Sequence, residues 1–85
     1  MEKRIGTISI VIYDIVAASA VNQIISDYAQ SILARQGLPL RDKDLHIINL
    51  IIEDSADRIN ALTGKLGRLP DVEVKTILSK ASLKE

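Results

Sequence analysis

The clearest hint of chemistry in this sequence is the Thr-Gly-Lys triplet at residues 63–65. A phosphate-binding P-loop also has a glycine five positions before the glycine of its Gly-Lys pair, and it has a serine or threonine directly after the lysine. Those two positions hold Ile59 and Leu66. The triplet also follows a helical pattern, whereas a P-loop precedes its helix. The spacing therefore argues against a nucleotide site, and Lys65 is interpreted as a cation near a helix C-terminus, where the dipole favours it.

His46 is the only histidine, and the chain contains no cysteine. Protein sites for transition metals combine several histidine, cysteine or carboxylate ligands, so His46 cannot form one alone. A metal-binding sensor is possible if a site is completed across a subunit interface, with help from Asp42, Asp44 or Glu53. The alternative is a structural histidine at the start of a strand. No cofactor can be named from these residues.

The sequence contains no clear set of catalytic residues. A Ser-His-Asp arrangement would have to use the single histidine, and the chain has no nucleophile elbow. Carboxylates stand close together at Glu53, Asp54 and Asp57, but this spacing fits the capping of a helix as well as acid–base work. Capping is the simpler interpretation, and we predict that the protein is not an enzyme.

A possible ligand site lies at Asp14, Ile15 and Val16, between a predicted strand and a predicted helix. Backbone amides at the start of a helix lack partners within the helix and could hold a carboxylate ligand. The alternative is an ordinary turn in which the Asp14 side chain caps the helix.

The hydrophobic pattern predicts the elements that position these residues. Residues 5–13 alternate as a strand does, with Ile8, Ile10 and Ile12 on one face. Apolar residues then recur at helical spacing from position 17 to 33. The rest of the pattern gives a short edge strand within 32–40, a strand at 45–52, a helix from 55 to a glycine cap at 67, and a strand from 72.

This order predicts an α+β ferredoxin-like βαββαβ sandwich, with one antiparallel sheet and both helices on one of its faces. The two most apolar strands, the first and the third, belong at the centre of the sheet. We expect residues 1–85 to form a single domain with its core at about 4–80 and a frayed tail at 81–85.

The composition predicts that the chain associates with copies of itself. A chain of 85 residues buries only ~60% of its unfolded surface, yet fourteen residues are isoleucine. The helix-free face of the sheet would be too apolar for water, which predicts a homo-oligomer, a dimer or tetramer, that forms through this face. The residues expected there are Val11, Tyr13, Ile47, Asn49, Ile51 and Ile77.

Nucleic acids and membranes are not expected partners. Eleven basic residues balance eleven acidic ones, and Tyr13 and Tyr28 are the only aromatic side chains, so direct nucleic-acid binding is not expected. No apolar run approaches ~18 residues, so no membrane span is expected. A cytoplasmic location follows as the default.

Two stretches, YAQSILARQGLPLR at 28–41 and LTGKLGRLPDVEVKTILSK at 62–80, resemble the iron-only hydrogenase system regulators, small proteins mostly of anaerobic bacteria. The resemblance covers about residues 4–80. More broadly, the chain is similar to ACT-like domains and to the C-terminal domain of nickel-responsive repressors, both of which are ferredoxin-like and assemble into oligomers. The repressors' nickel site, built from several histidines and a cysteine, cannot be transferred to this chain.

The resemblance implies a regulatory or sensory role in hydrogenase maturation or expression, through a small ligand or a partner protein. It implies ligand binding at Asp14 and Asn22, although amino-acid-binding ACT domains usually have a glycine where Ile15 follows Asp14. No DNA-reading motif is present, so transcription regulation would need a partner protein.

Overall fold

The order of the elements is the predicted βαββαβ. The computed structural model describes residues 2–80, and the predicted frayed tail at 81–85 lies outside them. The elements are β1 (Arg4–Ile12), α1 (Val16–Ser26), β2 (Ile32–Leu40), β3 (Leu45–Asp54), α2 (Ala56–Gly67) and β4 (Val72–Leu78), with short 3-10 turns at Ala29–Ser31 and Arg41–Lys43. This arrangement is a ferredoxin-like α+β fold.

All four strands form one antiparallel sheet in the order β2-β3-β1-β4. The strand β1 lies between β3, where Ile10 pairs with Ile48, and β4, where it pairs with Val74. The apolar strands β1 and β3 therefore occupy the centre, as predicted. The two connections between consecutive strands that are not neighbours in the sheet, β1 to β2 and β3 to β4, each contain a helix.

Strand alternation separates the two faces of the sheet. Ile8, Ile10 and Ile12 of β1 are buried beneath the helices, together with the matching residues of β3. Each fully buried aliphatic side chain of this kind contributes about 1.5–3 kcal/mol through removal from water. The other buried apolar residues are Val21, Ile25, Tyr28, Ile48, Leu50, Ile52, Ile59, Leu62 and Leu66.

The first helix is shorter than its pattern suggests. Helix α1 ends at Ser26, and Ile32 and Leu33, which continue the helical spacing, belong to β2. The prediction of a helix reaching residue 33 was therefore wrong, and β2 is a full nine-residue strand. Pairing with β3, including Gly37 with Ile48, outweighs the local spacing because tertiary contacts override weak helix propensity.

Helix α2 begins where the capping residues predicted. The Ser55 side chain accepts a hydrogen bond from the Arg58 amide at 3.2 Å, which satisfies one free amide of the first turn. The predicted glycine cap was wrong, because Gly67 lies in the helix and Arg68 caps it with right-handed backbone angles. The left-handed residue that leads into β4 is Asp71, with φ of 59°.

A close approach between α2 and β1 occurs at Gly6. A Cβ atom placed on Gly6 would lie 3.3 Å from Cγ2 of Ile52 and 3.3 Å from Cγ2 of Ile59. The absence of a side chain at this position therefore lets the helix pack directly on the central strand.

Candidate functional site

The Thr-Gly-Lys triplet lies inside α2 and forms no loop. The Thr63 hydroxyl donates to the carbonyl of Ile59 at 3.0 Å and shares a hydrogen bond of 2.7 Å with the Thr76 hydroxyl. Lys65 lies in the last turn, with its ammonium 5.2 Å from the centre of the Tyr28 ring. These side chains tie the helix to β4 and to the core, which agrees with a structural interpretation of the segment.

A cavity of about 710 Å³ lies where β1 and β2 end and β3 begins. We call it the end cavity. It combines apolar surface with five charged or titratable side chains, and it lies beside the start of α1. Its lining residues are Ile12, Tyr13, Asp14, Ile15, Pro39, Arg41, Asp44, Leu45 and His46.

The turn before α1 uses its own polar groups. The Val16 amide donates to Oδ1 of Asp14 at 3.0 Å, and the Ala17 amide donates to the Asp14 carbonyl at 2.9 Å. The next amide, of Ala18, donates to the Ile15 carbonyl at 3.0 Å. The geometry is that of a capped turn, so an anion in the end cavity would be contacted by side chains rather than by these amides.

His46 lies on the helix side of the sheet, paired with Ile12 on one side and with Pro39 on the other. Its Nδ1 atom is buried and has no hydrogen-bond partner among residues 2–80. Its other ring nitrogen lies over Gly37, where a Cβ atom would be 3.7 Å from Nε2. An unpartnered buried nitrogen is costly, and it can serve as donor or acceptor to a bound molecule according to its tautomer.

Arg41 supplies the positive charge of the end cavity. Its guanidinium makes no ion pair with any residue from 2 to 80. The carboxylates of Asp14 and Asp44 line the same cavity, and Asp44 adopts a left-handed conformation with φ of 53° at the end of the Arg41–Lys43 turn. The cavity thus offers both signs of charge beside apolar surface.

The sequence matches, over residues 4–76, the family described as "TM1266-like: Iron-only hydrogenase system regulator, putative". The chain belongs to this family. Among solved structures it is similar to the uncharacterized protein TM1266 from Thermotoga maritima, with 39% identity, a TM-score of 0.88, and coverage of 93% of this chain and 100% of that one. The family and fold expected from the resemblance are therefore confirmed.

A second solved structure, an unknown protein from Galdieria sulphuraria, has 12% identity and a TM-score of 0.69. It covers 94% of the regulator, which in turn covers 47% of that chain. At this identity the similarity shows the fold alone. No curated protein matches the sequence. Among residues 2–80 no helix is long and apolar enough to cross a membrane.

The structure brings three of the five predicted site residues of the regulator together. Asp14, Ile15 and His46 line the end cavity. Val16 is 80% exposed beside it. Asn22 is placed elsewhere, further along α1 and outside the residues that line the cavity.

The Asn22 side-chain oxygen accepts a hydrogen bond from Nη2 of Arg35 on β2, so Asn22 joins α1 to the edge strand. Arg41 was missed in the sequence analysis. Its signal was its position just after β2, because antiparallel pairing brings the end of β2 to the start of β3.

The described part of the regulator contains no group of three potential metal ligands. Of the acidic residues considered as helpers of His46, Asp44 lines the end cavity, whereas Asp42 pairs with Lys43 at 3.3 Å. Glu53 lies at the opposite end of β3. A metal held by His46 would thus need ligands from outside residues 2–80 of one chain.

A second polar group of the regulator surrounds Asp54, which is 6% exposed. Its carboxylate accepts hydrogen bonds from the Ser31 hydroxyl at 2.6 Å, the Ser55 amide at 2.7 Å and Nε of Arg58 at 2.7 Å. Burial alone would raise the pKa of Asp54, but these hydrogen bonds and the Arg58 charge outweigh it and hold the pKa below 3.8. We call these four residues the Asp54 cluster.

The Asp54 cluster is a structural feature. It joins the end of β3, the turn before β2 and the first turn of α2, and the Arg58 guanidinium also lies 4.9 Å from the centre of the Tyr28 ring. All its polar atoms that face inward have partners, unlike Nδ1 of His46. The end cavity is therefore the better candidate for ligand binding.

Proposed function

We propose that this regulator senses a small molecule bound in the end cavity and thereby controls an iron-only hydrogenase system. The observation that carries the proposal is a cavity of about 710 Å³ lined by His46, whose buried Nδ1 has no hydrogen-bond partner among residues 2–80. Small-molecule sites typically have volumes of roughly 300–1,000 Å³ and combine apolar walls with a few polar groups. The family supports the regulatory role.

The lining residues indicate the class of ligand. The unpaired Arg41 guanidinium and the imidazole of His46 can both donate to an anionic group. Ile12 and Leu45 offer apolar contact to the rest of the molecule, and Ile15 stands at the mouth with 73% of its surface exposed. We therefore propose a small organic anion with an apolar portion.

Binding would act by population shift. A ligand that contacts both the turn before α1 and the Arg41–Lys43 turn would favour the conformations in which these two segments approach each other. A partner protein, such as a separate DNA-binding regulator or a maturation factor, would then recognise the ordered end of the domain. We propose that this takes place in the cytoplasm, where expression and maturation are controlled.

Thermal unfolding with a panel of aromatic and aliphatic carboxylates, inorganic phosphate and nucleotides tests the proposal. A ligand present at 100 times its dissociation constant should stabilise the domain by about 2.7 kcal/mol, a shift of roughly 10 °C or more. We expect Arg41→Ala to abolish that shift and Arg68→Ala, which removes an exposed arginine at the end of α2, to retain it. Equal stabilisation of both variants would place the ligand outside the end cavity.

A metal-binding sensor is the second candidate, and the free Nδ1 of His46 is the observation that favours it. The remaining ligands would come from another subunit. Elemental analysis after purification without chelators should then find bound metal in the wild type and none in His46→Ala. A wild-type protein that stays free of metal after incubation with Zn²⁺ and Ni²⁺ would eliminate this candidate.

A further inference from the structure

The face of the sheet opposite the helices has a regular pattern of rows, which we call the open face. Because strand registers align side chains across all four strands, each row contains one residue from β2, β3, β1 and β4 in turn. The first row is Ala34, Ile51, Thr7 and Ile77; the second is Gln36, Asn49, Ser9 and Lys75; the third is Leu38, Ile47, Val11 and Glu73.

A polar row thus lies between two largely apolar ones. The apolar rows are uncovered in the single chain: Ile51 and Ile77 of the first row are 42% and 72% exposed, and Leu38 of the third row is 52% exposed. Two uncovered apolar rows on one face of a folded domain indicate a contact surface. The polar second row restricts which partners fit, because buried polar groups need polar groups opposite them.

We propose that the open face is covered by the open face of a second copy of this chain, related by a two-fold axis parallel to the strands and midway between β1 and β3. Across this axis β1 faces β3 of the second copy, and β2 faces β4 of the second copy. Positions along the strands do not change, so each row stays at the same height. Every row then meets itself, so the polar row faces the polar row and the apolar rows face apolar rows. The contact is isologous, as in most homodimers.

Side-chain sizes and charges agree with this axis. In the first row the small Thr7 faces Ile51 of the second copy, and the small Ala34 faces Ile77. In the second row Lys75 faces Gln36, which can accept a hydrogen bond from its ammonium. In the first row large side chains are therefore placed opposite small ones, which favours close packing of the two sheets.

In the third row Leu38 faces Glu73 of the second copy across this axis. The Glu73 carboxylate already accepts a hydrogen bond from the Tyr13 hydroxyl at 2.7 Å, so its charge has a partner at the margin of the face. Its aliphatic stem remains free to contact Leu38.

A two-fold axis perpendicular to the strands fits poorly. It would exchange the first and third rows, place Ile77 against Glu73 and set Lys75 against Lys75 of the second copy. Facing like charges in a partly desolvated contact disfavour association. The arrangement of charges on β4 therefore selects the axis along the strands.

The size of the open face suits a dimer. The four strands are seven to ten residues long. At a spacing of about 4.8 Å they cover roughly 550 Å² per copy, or about 1,100 Å² for the pair. A specific interface buries about 1,000 Å² or more, so this face is sufficient but not large. We expect a dimer that dissociates in the micromolar range.

Sedimentation velocity at concentrations from about 1 to 100 μM tests the dimer. We expect Ile77→Glu to raise the dissociation constant at least tenfold, because the charge enters the interface twice. Val16→Glu introduces the same charge at a residue that is more exposed but lies on α1, and it should leave the dimer intact. A wild type that stays monomeric at 100 μM, or equal effects of the two variants, would overturn the proposal.

Substitutions at Gln36 test the axis. This residue is three strands away from Lys75 within its own chain but faces it across the interface. We expect Gln36→Glu to tighten the dimer about two- to fivefold and Gln36→Lys to weaken it by a similar factor, both effects fading at 1 M salt. Equal effects of the two variants on a dimer would reject the axis along the strands.

This inference does not rest on the ligand proposed for the end cavity. If a carboxylate stabilises the domain in the thermal assay but the wild type is monomeric, the ligand proposal is supported and the dimer is overturned. If the wild type is a dimer but no probe stabilises it, the dimer is supported and the ligand proposal is overturned.

Discussion

Replacing Asp54 by asparagine should destabilise the protein in a way that can be worked out atom by atom. The Oδ1 atom accepts from the Ser55 amide, and Oδ2 accepts from both the Ser31 hydroxyl and Nε of Arg58. The asparagine oxygen can keep the Ser55 bond, and the Ser31 hydroxyl can rotate to accept from the new amide nitrogen. The Nε–H of Arg58 then faces another donor, so the charge-assisted bond to Asp54 is lost.

The expected cost follows from that single loss. A hydrogen bond to a charged group contributes about 1.5–3 kcal/mol. The Arg58 side chain is half exposed, so water screens part of the interaction and the lower end of this range applies. We expect Asp54→Asn to lower the free energy of unfolding by about 1.5 kcal/mol, which corresponds to roughly 6–12 °C in the midpoint of thermal unfolding.

Urea denaturation at one fixed protein concentration measures this loss, since self-association would make stability depend on concentration. Asp57→Asn is the matched control, because Asp57 lies exposed in the first turn of α2 and the charge change is the same. A difference of less than about 0.5 kcal/mol between the two variants would refute the account of the Asp54 cluster.

The same reasoning predicts a pH dependence. The pKa of Asp54 is lower in the folded chain than its ordinary value of 3.8, so the folded state favours the ionised carboxylate. Its stabilising contribution is complete well above pH 3.8 and disappears as the pH falls from that value through the folded pKa. The difference between the wild type and Asp54→Asn should therefore shrink under acid conditions and stay constant near neutrality.

Three further predictions concern the sheet. Ile10→Ala removes a side chain that is 0% exposed at the sheet centre and should cost about 3 kcal/mol in urea denaturation. Gly6→Ala should cost about 1–2 kcal/mol because the new methyl group meets Ile59 at 3.3 Å; unchanged stability would show that α2 can shift. The hydrogen bond to the Glu73 carboxylate raises the pKa of Tyr13 above 10.0, and an NMR titration should show it falling in Glu73→Gln.

The fold could be predicted because its main signals are local. Alternation in β1 places Ile8, Ile10 and Ile12 on one face, and the mainly apolar β3 indicates a central strand, so the sheet order follows from the element order. The end of α1 could not be predicted in this way. Ile32 and Leu33 continue a helical spacing, and only pairing with β3 assigns them to a strand.

The end cavity is formed by the register between strands, which the sequence does not specify. For this reason its residues were predicted only as separate candidates. The turn at Asp14 and the lone His46 were recognised as separate candidates, but they meet because Ile12 pairs with His46. Arg41 joins them through the pairing of β2 with β3. Asn22 was grouped with Asp14 through a family resemblance, and its distance along α1 separates them.

The pairing of β1 with β4 also brings the outer ends of the first and last strands together, which matters for engineering the chain. Gly6 pairs with Leu78, and the Ser79 amide donates to the Ile5 carbonyl at 2.8 Å, so the outer ends of the first and last strands are neighbours. They lie at the end of β1 opposite Tyr13 and the end cavity. The domain is therefore suited to insertion into a host protein or to circular permutation, with a reporter attached at this end well away from the end cavity.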